Sequence, residues 1–523
     1  MKYVIPNTYF TLLIRMSSPQ FLINMIKNLS NMVRKKFLVC WILILIAYSF
    51  TIYHAISPWL LGAGVWASPI GEDGSLLLRG RNIIDLYASV ADRVWESYNQ
   101  LLEQKPYDPG LFAWGIHYEI RSYCEMYRLT EDRLWIERAV ARCDYLYNLR
   151  DVNGDGIPSW GNYNATYGNP RYEREGWREF SVWDGVLTTA MIETAQVILD
   201  YKILKNNQTL KAKADRYINV VKTVIERYHN AWSDLPDGAG YYWDCPREDV
   251  VGPIVNRFSA LGISELKLYD VLKDPKYLVK PAAMARLFKK NLRLRGDAYV
   301  WTYAVPPSKY TGSIEDISHG AIDLEFAILC YNHGLVFNET DMQRFVATYK
   351  KLIWKGFNRR PHLAQRVDGG GTTDYSTASR NWVILSIFDP SVWVYQWTVF
   401  NDREPLYSGY YLQAISQLAT YYPGDDVAAQ IMIREAESVV NNISPLYLPF
   451  KCLAELSLDE AKAYYDAGDT ANAFASAKKC MSIAENAGIA TGSIIVISIF
   501  AVVLAVIQVY TSRQGSSVKR SYR

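Results

Sequence analysis

The sequence is poor in cysteine and histidine, and it has no long run of like charge between its two ends. Seven cysteines in 523 residues are too few for a fold held by disulfides. The net charge of +3 is spread along the chain, so a nucleic-acid footprint is not expected. The glycine-rich segment 369–371 is not followed by the Lys-Ser/Thr of a phosphate loop, so nucleotide binding is not supported. Strand-like alternation is scarce, which favours an all-helical fold.

Long apolar segments do occur, and they lie near the two ends of the chain. Residues 37–67 contain only His54 as a potentially charged side chain, and residues 488–510 contain none. Each exceeds the roughly 20 apolar residues that cross a bilayer. Basic clusters flank both segments on their outer sides, so residues 1–36 and 511–523 are predicted to be cytoplasmic. The main domain is then extracytoplasmic, at the cell membrane, and the terminal helices contact membrane lipid. Residues 37–67 are equally consistent with a cleaved signal segment.

Helical hairpins repeat between these segments. A polar turn followed by an amphipathic helix recurs roughly every 70 residues, beginning near Thr130, Asn207, Asp274 and Asn338. Other helices are predicted over 81–104, 111–128, 183–205, 257–272, 318–334, 379–388 and 407–422. Hairpins of this kind bury one face against their neighbours, and the long aromatic loops all fall on one side. Residues 68–425 are therefore predicted to form an all-α (α/α) toroid with a site on one rim.

The amino-acid composition changes after the predicted ring. Residues 426–487 are low in tryptophan and contain a hairpin of tetratricopeptide type, which predicts a helical stalk between the ring and the membrane. Cys452 and Cys480 lie at similar distances from the turn of that hairpin. They are consistent either with a disulfide or with two unpaired core thiols.

The candidate catalytic residues lie in the segment from Ser313 to Asp323. On a helix that begins near Ser313, Glu315, His319 and Asp323 share one face. A histidine held between two carboxylates is oriented as a general acid or base. Helix capping is the competing explanation for the acids, because Ser313 and Asp316 also form a capping pattern.

Two further motifs are candidates for ligand binding. Asp184 lies at a predicted helix start beside Trp183, so it either contacts a sugar that stacks on the aromatic ring or caps the helix. Asp151, Asn153 and Asp155 present oxygens at alternate positions, which resembles the first half of a structural Ca²⁺ loop. The glutamate of such a loop is absent, and a plain turn is the alternative.

A family resemblance rests on the order of four motifs, which are Ile254–Arg257, Leu268–Leu278, Tyr299–Tyr303 and Glu315–Asp323. Their succession resembles the six-hairpin (α/α)-toroid carbohydrate-active proteins over roughly residues 80–422. Within that class it is most similar to the C-terminal domain of glucuronyl C5-epimerases and to toroid polysaccharide lyases. The epimerase signature rich in Tyr and His near the end of the ring is absent. The resemblance implies that Asn256, Tyr303, Glu315 and His319 line the rim.

Three functions follow from these residues. The first is epimerisation or β-elimination at C5 of a uronic-acid polysaccharide, with His319 and Tyr303 moving the proton and Glu315 orienting the histidine. Asn256 and Arg257 then neutralise the sugar carboxylate, and Trp301, in the Tyr299–Tyr303 motif, is a further substrate-binding candidate. The second is a glycoside hydrolase that pairs Asp184 with Glu315 or Asp316. The third is a non-catalytic glycan-binding protein of the cell envelope.

Overall fold

The computed structural model describes residues 76–78, 81–162, 177–246, 249, 251–357, 362–443 and 448–484. Residues 67–441 and 454–482 form one compact unit. A second unit comprises 1–66, 442–453 and 483–523, and its described part is short and mostly helical. The fold and the site below belong to the first unit.

Helices dominate the described residues. The twelve helices up to residue 441 are α1 (Ile83–Gln104), α2 (His117–Thr130), α3 (Arg133–Asn148), α4 (Ser181–Asp200), α5 (Gln208–His229), α6 (Val255–Leu272), α7 (Lys276–Asn291), α8 (Ile317–Asn332), α9 (Glu339–Ala347), α10 (Ser391–Asn401), α11 (Gly409–Thr420) and α12 (Asp425–Asn441). They are followed by α13 (Leu448–Asp466) and by α14 at residues 470–484. Shorter helical pieces are Pro109–Leu111, Phe112–Ile116, Lys202–Lys205, Pro236–Gly238, Thr348–Ile353, Ser376–Ala378 and Trp382–Ile387.

Six of these elements form a closed inner ring. In order around the ring, α2 packs against α4, α4 against α6, α6 against α8, and α8 against the 3₁₀ helix Trp382–Ile387. That 3₁₀ helix packs against α11, and α11 returns to α2 and closes the ring. An outer layer of α1, α3, α5, α7, α9 and α10 packs against the inner elements. The described residues therefore form an (α/α) toroid, as the sequence predicted.

The sequence patterns of the two layers differ because their surroundings differ. Outer helices such as α5 have one apolar face, with Tyr217, Val221 and Val224 buried and lysines on the other side. The inner helix α4 is buried on nearly every side, from Ser181 to Ile198. Close packing of the inner ring depends on small residues. A Cβ at Gly185 on α4 would stand 2.6 Å from backbone atoms of Ala260 and Leu261 on α6.

The two rims of the ring differ in their connections. Each outer helix is followed by a long connection that leads into the next inner element, and two of these connections contain antiparallel hairpins. The hairpins pair β3 (Trp232–Asp234) with β4 (Gly240–Tyr242), and β5 (Arg293–Arg295) with β6 (Ala298–Val300), while β1 (Leu77–Leu78) pairs with β2 (Arg81–Asn82) before the ring. We call the rim at the N-terminal ends of the inner helices the loop rim. The opposite rim carries short turns.

An ion network crosses the ring axis between the two rims. Arg121 of α2 forms salt bridges with Glu193 of α4 and with Glu325 of α8, although α2 and α8 lie on opposite sides of the ring. Lys267 of α6 binds Glu193 at 2.6 Å. Toward the short-turn rim, the ring axis opens into a cavity of about 300 Å³. The inner ring is therefore tied together by charge as well as by apolar packing.

The predicted helix boundaries are close to the observed ones for most hairpins. Asn207 and Asn338 cap α5 and α9, as the polar turns indicated. The prediction is wrong for the last part of the ring. The segment 379–388, predicted as an α-helix, contains the 3₁₀ helix Trp382–Ile387, and α10 was not predicted. All of α10 up to Phe400 is buried, since α12 and the ring both pack on it, so it has no amphipathic period.

Residues after the ring pack onto it. Helix α12 contacts α10, and Phe474 of α14 meets the ring of Trp397 edge-on at 5.2 Å. The role of residues 426–487 as a stalk beside a membrane stays a prediction. Cys452 and Cys480 are both free thiols, so the disulfide alternative is wrong; Cys480 is a core thiol, whereas Cys452 is exposed.

The terminal segments predicted to cross a membrane, 37–67 and 488–510, lie outside the described residues, as do the tails 1–36 and 511–523. Among the helices that the structure describes, none combines the length and the apolar character that a bilayer crossing requires.

Candidate active site on the loop rim

Asp316 and His319 form a partly exposed ionisable pair on the loop rim. Asp316 caps α8: its Oδ1 accepts hydrogen bonds from the backbone N–H groups of Ser318 and His319 at 2.8 and 3.0 Å. Its Oδ2 lies 2.7 Å from Nδ1 of His319. Partial burial opposes ionisation, but the hydrogen bond and charge of His319 lower the pKa of Asp316 below its usual value. The histidine side chain is 34% exposed, so it can meet a ligand.

A second pair of acids lies directly behind the first. Glu315 and Asp323 are almost completely buried, and their carboxyl groups interact with each other. Burial raises the pKa of Glu315 well above its usual value, and the charges of Asp323 and Asp316 raise it further. Burial likewise raises the pKa of Asp323 to about 8. Because two adjacent carboxylates cannot both ionise cheaply in a buried site, this pair holds at least one proton at neutral pH.

Glu315 also connects the two pairs. Its Oε1 accepts a hydrogen bond from the backbone N–H of Asp316 at 3.0 Å and lies 3.7 Å from Nδ1 of His319. Consecutive acidic residues therefore have opposite environments. Burial raises the pKa of Glu315, whereas the histidine lowers the pKa of Asp316.

The local backbone differs from the helix predicted to begin near Ser313. Helix α8 begins at Ile317, and the residues before it are extended. Ile314 forms an isolated β-bridge with Thr302, and Asp316 forms one with Arg366. This segment is therefore held between two other segments of the same chain. The prediction that Glu315 lies on the helix is wrong, because Asp316 is the N-cap. The predicted capping pattern of Ser313 with Asp316 is also wrong, because Asp316 alone is the N-cap of α8, and the same carboxylate holds His319.

Tyr303 and Arg257 adjoin the histidine. The rings of Tyr303 and His319 are 5.8 Å apart, and the Tyr303 hydroxyl accepts a hydrogen bond from Nη2 of Arg257 at 3.2 Å. Nη1 of Arg257 lies 2.5 Å from Oδ2 of Asp244. Burial raises the pKa of Tyr303, which Arg257 partly offsets. The preceding residue, Asn256, is buried at the start of α6, and its Oδ1 has no hydrogen-bond partner among the described residues.

Three other predicted substrate-binding residues are buried in the core. Trp301 is 1% exposed, and its Nε1 donates to Asp323 at 2.9 Å. Trp183 is 4% exposed and packs edge-on against Phe180. Asp184 has no exposed surface; it accepts hydrogen bonds from the Trp160 backbone N–H and from the Tyr228 hydroxyl. These side chains have little surface to offer a ligand, and their role as substrate contacts stays a prediction.

Burial and the charge of Glu179 raise the pKa of Asp184 to about 7. Since its hydrogen bonds join the loop at Trp160 to the outer helix α5, the structure places this carboxyl among residues that hold the loop rim together.

The loop Asp151–Gly156 forms a turn closed by its own side chains. Both carboxylate oxygens of Asp151 accept the backbone N–H of Gly156, and the Asn153 amide donates to Asp155 at 2.9 Å. Calcium binding by Asp151, Asn153 and Asp155 stays a prediction. Within the part of the chain that the structure describes, Glu315, Asp316 and His319 are the residues whose ligand atoms cluster closely enough to hold a metal ion, all within 4.8 Å of one another.

Trp114 is a site residue that the sequence did not single out. It lies in the helical turn Phe112–Ile116 before α2, and its ring meets the His319 ring edge-on at 6.0 Å. Because α2 and α8 lie opposite each other in the ring, this contact spans the loop rim. The site therefore combines an Asp–His pair, a neutral acid behind it and two aromatic rings beside it. Such a set can transfer a proton to or from a ligand held against the rings.

No protein-family model matches this sequence, and no curated protein matches it. Solved structures of the alpha-1,6-mannanase GH76A from Salegentibacter sp. HEL1_6 are similar in part. One inactive variant in complex with alpha-1,6-mannotriose is 12% identical, with a TM-score of 0.39, over 64% of this chain and 99% of that chain. A second, with alpha-1,6-mannotetrose, is 13% identical, with a TM-score of 0.40, over 64% and 98%. A third structure of the enzyme has 11% identity and a TM-score of 0.35, over 77% and 99%. With TM-scores below 0.5, the likeness carries neither a residue nor an activity over to this chain.

Proposed function

We propose that this chain is a carbohydrate-active enzyme of the glycoside hydrolase kind, with its reacting groups on the loop rim. The observation that carries the proposal is the contrast between consecutive acids. Burial raises the pKa of Glu315, which shares at least one proton with Asp323, while His319 lowers the pKa of Asp316, and Glu315 and Asp316 have oxygens within 4.8 Å of each other. Cleavage of a glycosidic bond needs one protonated and one ionised carboxyl group on either side of the bond. The closed ring and the sequence resemblance to toroid carbohydrate-active proteins also support it.

The exposure of each group suggests its role. Asp316 is the carboxylate that faces the anomeric carbon, because its side chain is 23% exposed. Glu315 is almost completely buried, and its Oε1 lies 3.7 Å from Nδ1 of His319, the atom that Asp316 holds. Trp114 and Tyr303 supply aromatic faces for the sugar.

The test is a panel of neutral and uronic-acid polysaccharides incubated with the full chain. New reducing ends that disappear in Asp316→Asn support hydrolysis, and proton NMR of the first product reports the configuration. A matched control is Asp274→Asn. Asp274 caps a turn on the opposite rim in the same way, by accepting the Lys276 backbone N–H at 3.1 Å. Panel-wide absence of new reducing ends would overturn the hydrolase proposal.

Proton abstraction at C5 of a uronate is the second candidate, and the position of Arg257 favours it. A guanidinium beside Tyr303 and next to Asn256 is suited to a sugar carboxylate, while His319 or Tyr303 moves the proton. Lyase activity would give unsaturated uronate, which absorbs in the ultraviolet, without hydrolysis of neutral glycans. Epimerase activity would give exchange of the C5 hydrogen with solvent deuterium. Binding without any of these products would instead indicate a glycan-binding envelope protein.

The location of the enzyme is a separate proposal. The apolar segments 37–67 and 488–510 and their basic flanks support anchoring in membrane lipid, with residues 68–487 on the outer side. Protease added to intact cells should then release the ring domain. Full protection of the chain from the protease would contradict this orientation.

A further inference from the structure

The middle of the ring axis holds a buried arginine that forms no salt bridge with any residue the structure describes. Arg380 precedes the 3₁₀ helix Trp382–Ile387 and is 1% exposed. None of the described carboxylates forms a salt bridge with it, and its Nε and Nη2 have no hydrogen-bond partner. Its Nη1 makes only long contacts of 3.4 Å, to the Ser318 hydroxyl and to the Ala378 carbonyl. Arginine does not lose its proton in proteins, so this side chain carries a buried positive charge.

The neighbouring charges do not balance it. Arg121 and Lys267 form salt bridges with Glu193 and Glu325, and the charges of Glu325 and Asp316 act on Arg380 without forming a salt bridge with it. The Tyr118 ring lies 4.0 Å from the Arg380 guanidinium, which offers a cation–π contact but no negative charge. Among the described residues, no carboxylate therefore contacts the Arg380 guanidinium, and a buried charge without a contacting partner is costly.

A small cavity adjoins the same guanidinium. Its volume is about 10 Å³, which is enough for about one water-sized particle. Its polar lining comes from His117, Tyr118, Arg121, Thr189, Glu325, Arg380 and Asn381. Burial and the charges of Arg380 and Arg121 hold the pKa of His117 well below its usual value, which indicates a positive potential at this point on the axis.

We propose that this cavity binds one small monovalent anion of the halide class, chloride in a cell, against Nε and Nη2 of Arg380. The size of the cavity excludes carboxylates, phosphate and sugars, and the single uncompensated positive charge calls for a single negative one. Glu325 faces the same cavity, but its oxygens are already held by Arg121 and Asn381. Bound chloride neutralises the axis and fixes the guanidinium beside Ser318, in the first turn of the helix that carries His319. This inference does not depend on the proposed function.

The test compares thermal unfolding of the full chain in sodium chloride, sodium bromide and sodium gluconate at equal ionic strength. Gluconate is too large for the cavity and controls for screening. Chloride and bromide should raise the unfolding temperature by about 2 °C at ten times the dissociation constant, and above that constant the rise should grow with the logarithm of the halide concentration. Equal unfolding temperatures in all three salts would overturn the proposal.

Two variants and a diffraction experiment locate the site. Arg380→Gln should abolish the halide-specific rise, and Arg380→Lys should weaken it while keeping the charge. Arg133→Gln removes an exposed arginine paired only with Glu137 and should leave the rise unchanged. Anomalous scattering from a crystal of the wild-type protein in bromide should show one peak beside Arg380, which tests the site even if the Arg380 variants do not fold. A peak elsewhere alone, or water at this position in high bromide, would contradict it.

Discussion

Nδ1 of His319 lies 2.7 Å from Oδ2 of Asp316, the residue that also caps the helix on which His319 stands. One carboxylate therefore fixes the start of α8 and the orientation of the imidazole together. Asparagine is an equally good N-cap but carries no charge. The substitution Asp316→Asn therefore separates the capping role of this side chain from the role of its charge.

Asp316→Asn should reduce kcat by about 10²- to 10⁴-fold on any substrate found in the polysaccharide panel, because the ionised carboxylate is lost. The unfolding temperature should change little, since the cap survives. Steady-state kinetics and a thermal melt check both statements. If the unfolding temperature fell strongly and the loss of activity followed from unfolding of the variant, Asp316 would have only a structural role.

The buried pair Glu315–Asp323 should make the protein less stable as the pH rises. The folded state raises the pKa of Asp323 to about 8, so between about pH 4 and pH 8 the folded chain binds more protons than the unfolded chain. The stabilisation is complete below the unfolded pKa and is lost as the pH rises through the folded pKa. Asp323→Asn keeps an acceptor for Trp301 and should flatten this decline in urea titrations at pH 5 and pH 9.

Asp341 provides the contrasting case for the same measurement. Burial opposes ionisation there, but Lys289 lowers the pKa of Asp341 below its usual value. Its contribution is present above the unfolded pKa and is lost as the pH falls. Asp341→Asn should therefore cost stability at pH 7 and not flatten the decline toward pH 9. An identical pH response in both variants would contradict the assignment of the buried pair.

Arg121→Gln should destabilise the ring by about 3 to 5 kcal/mol, because it leaves Glu193 and Glu325 buried without their main counter-charge. Arg133→Gln removes an exposed salt bridge with Glu137 and should cost less than about 1 kcal/mol. Urea unfolding monitored by tryptophan fluorescence measures both. Similar losses in the two variants would show that the axial network contributes little.

Gly185→Ala tests how closely α4 and α6 approach. Alanine normally stabilises a helix interior by about 1 kcal/mol relative to glycine. Here the new methyl group would meet the backbone of α6 at 2.6 Å, so the sign should reverse and the unfolding temperature should fall. Any rise in that temperature would mean that the two helices can separate without cost.

Calcium should bind the loop that contains Asp151, Asn153 and Asp155, if the sequence prediction is right. Titration calorimetry should then show a weak site, with a dissociation constant of about 10⁻⁴ to 10⁻³ M. Asp155→Asn should weaken it, because the loop loses a charged ligand. An unfolding temperature that is the same in calcium and in chelator would support the plain turn instead.

Local patterns predicted the hairpins well because their causes are local. A cap such as Asn207 and an apolar face every three to four residues are visible in any short window of the sequence. Helix α10 was missed because burial on all sides erased that period. The helix predicted from Ser313 was wrong, since pairing of residues 314 and 316 with distant segments holds them extended.

The sequence by itself determined the helical repeat, the side of the ring that carries the loops and the association of Glu315, Asp316 and His319, all of which depend on near neighbours in the chain. Only the tertiary structure decided which acid is neutral and which is ionised, because desolvation depends on what packs around a carboxyl group. It also brought Trp114 to His319 and left Arg380 without a counter-charge. Those relationships join residues far apart in sequence, and no local period records them.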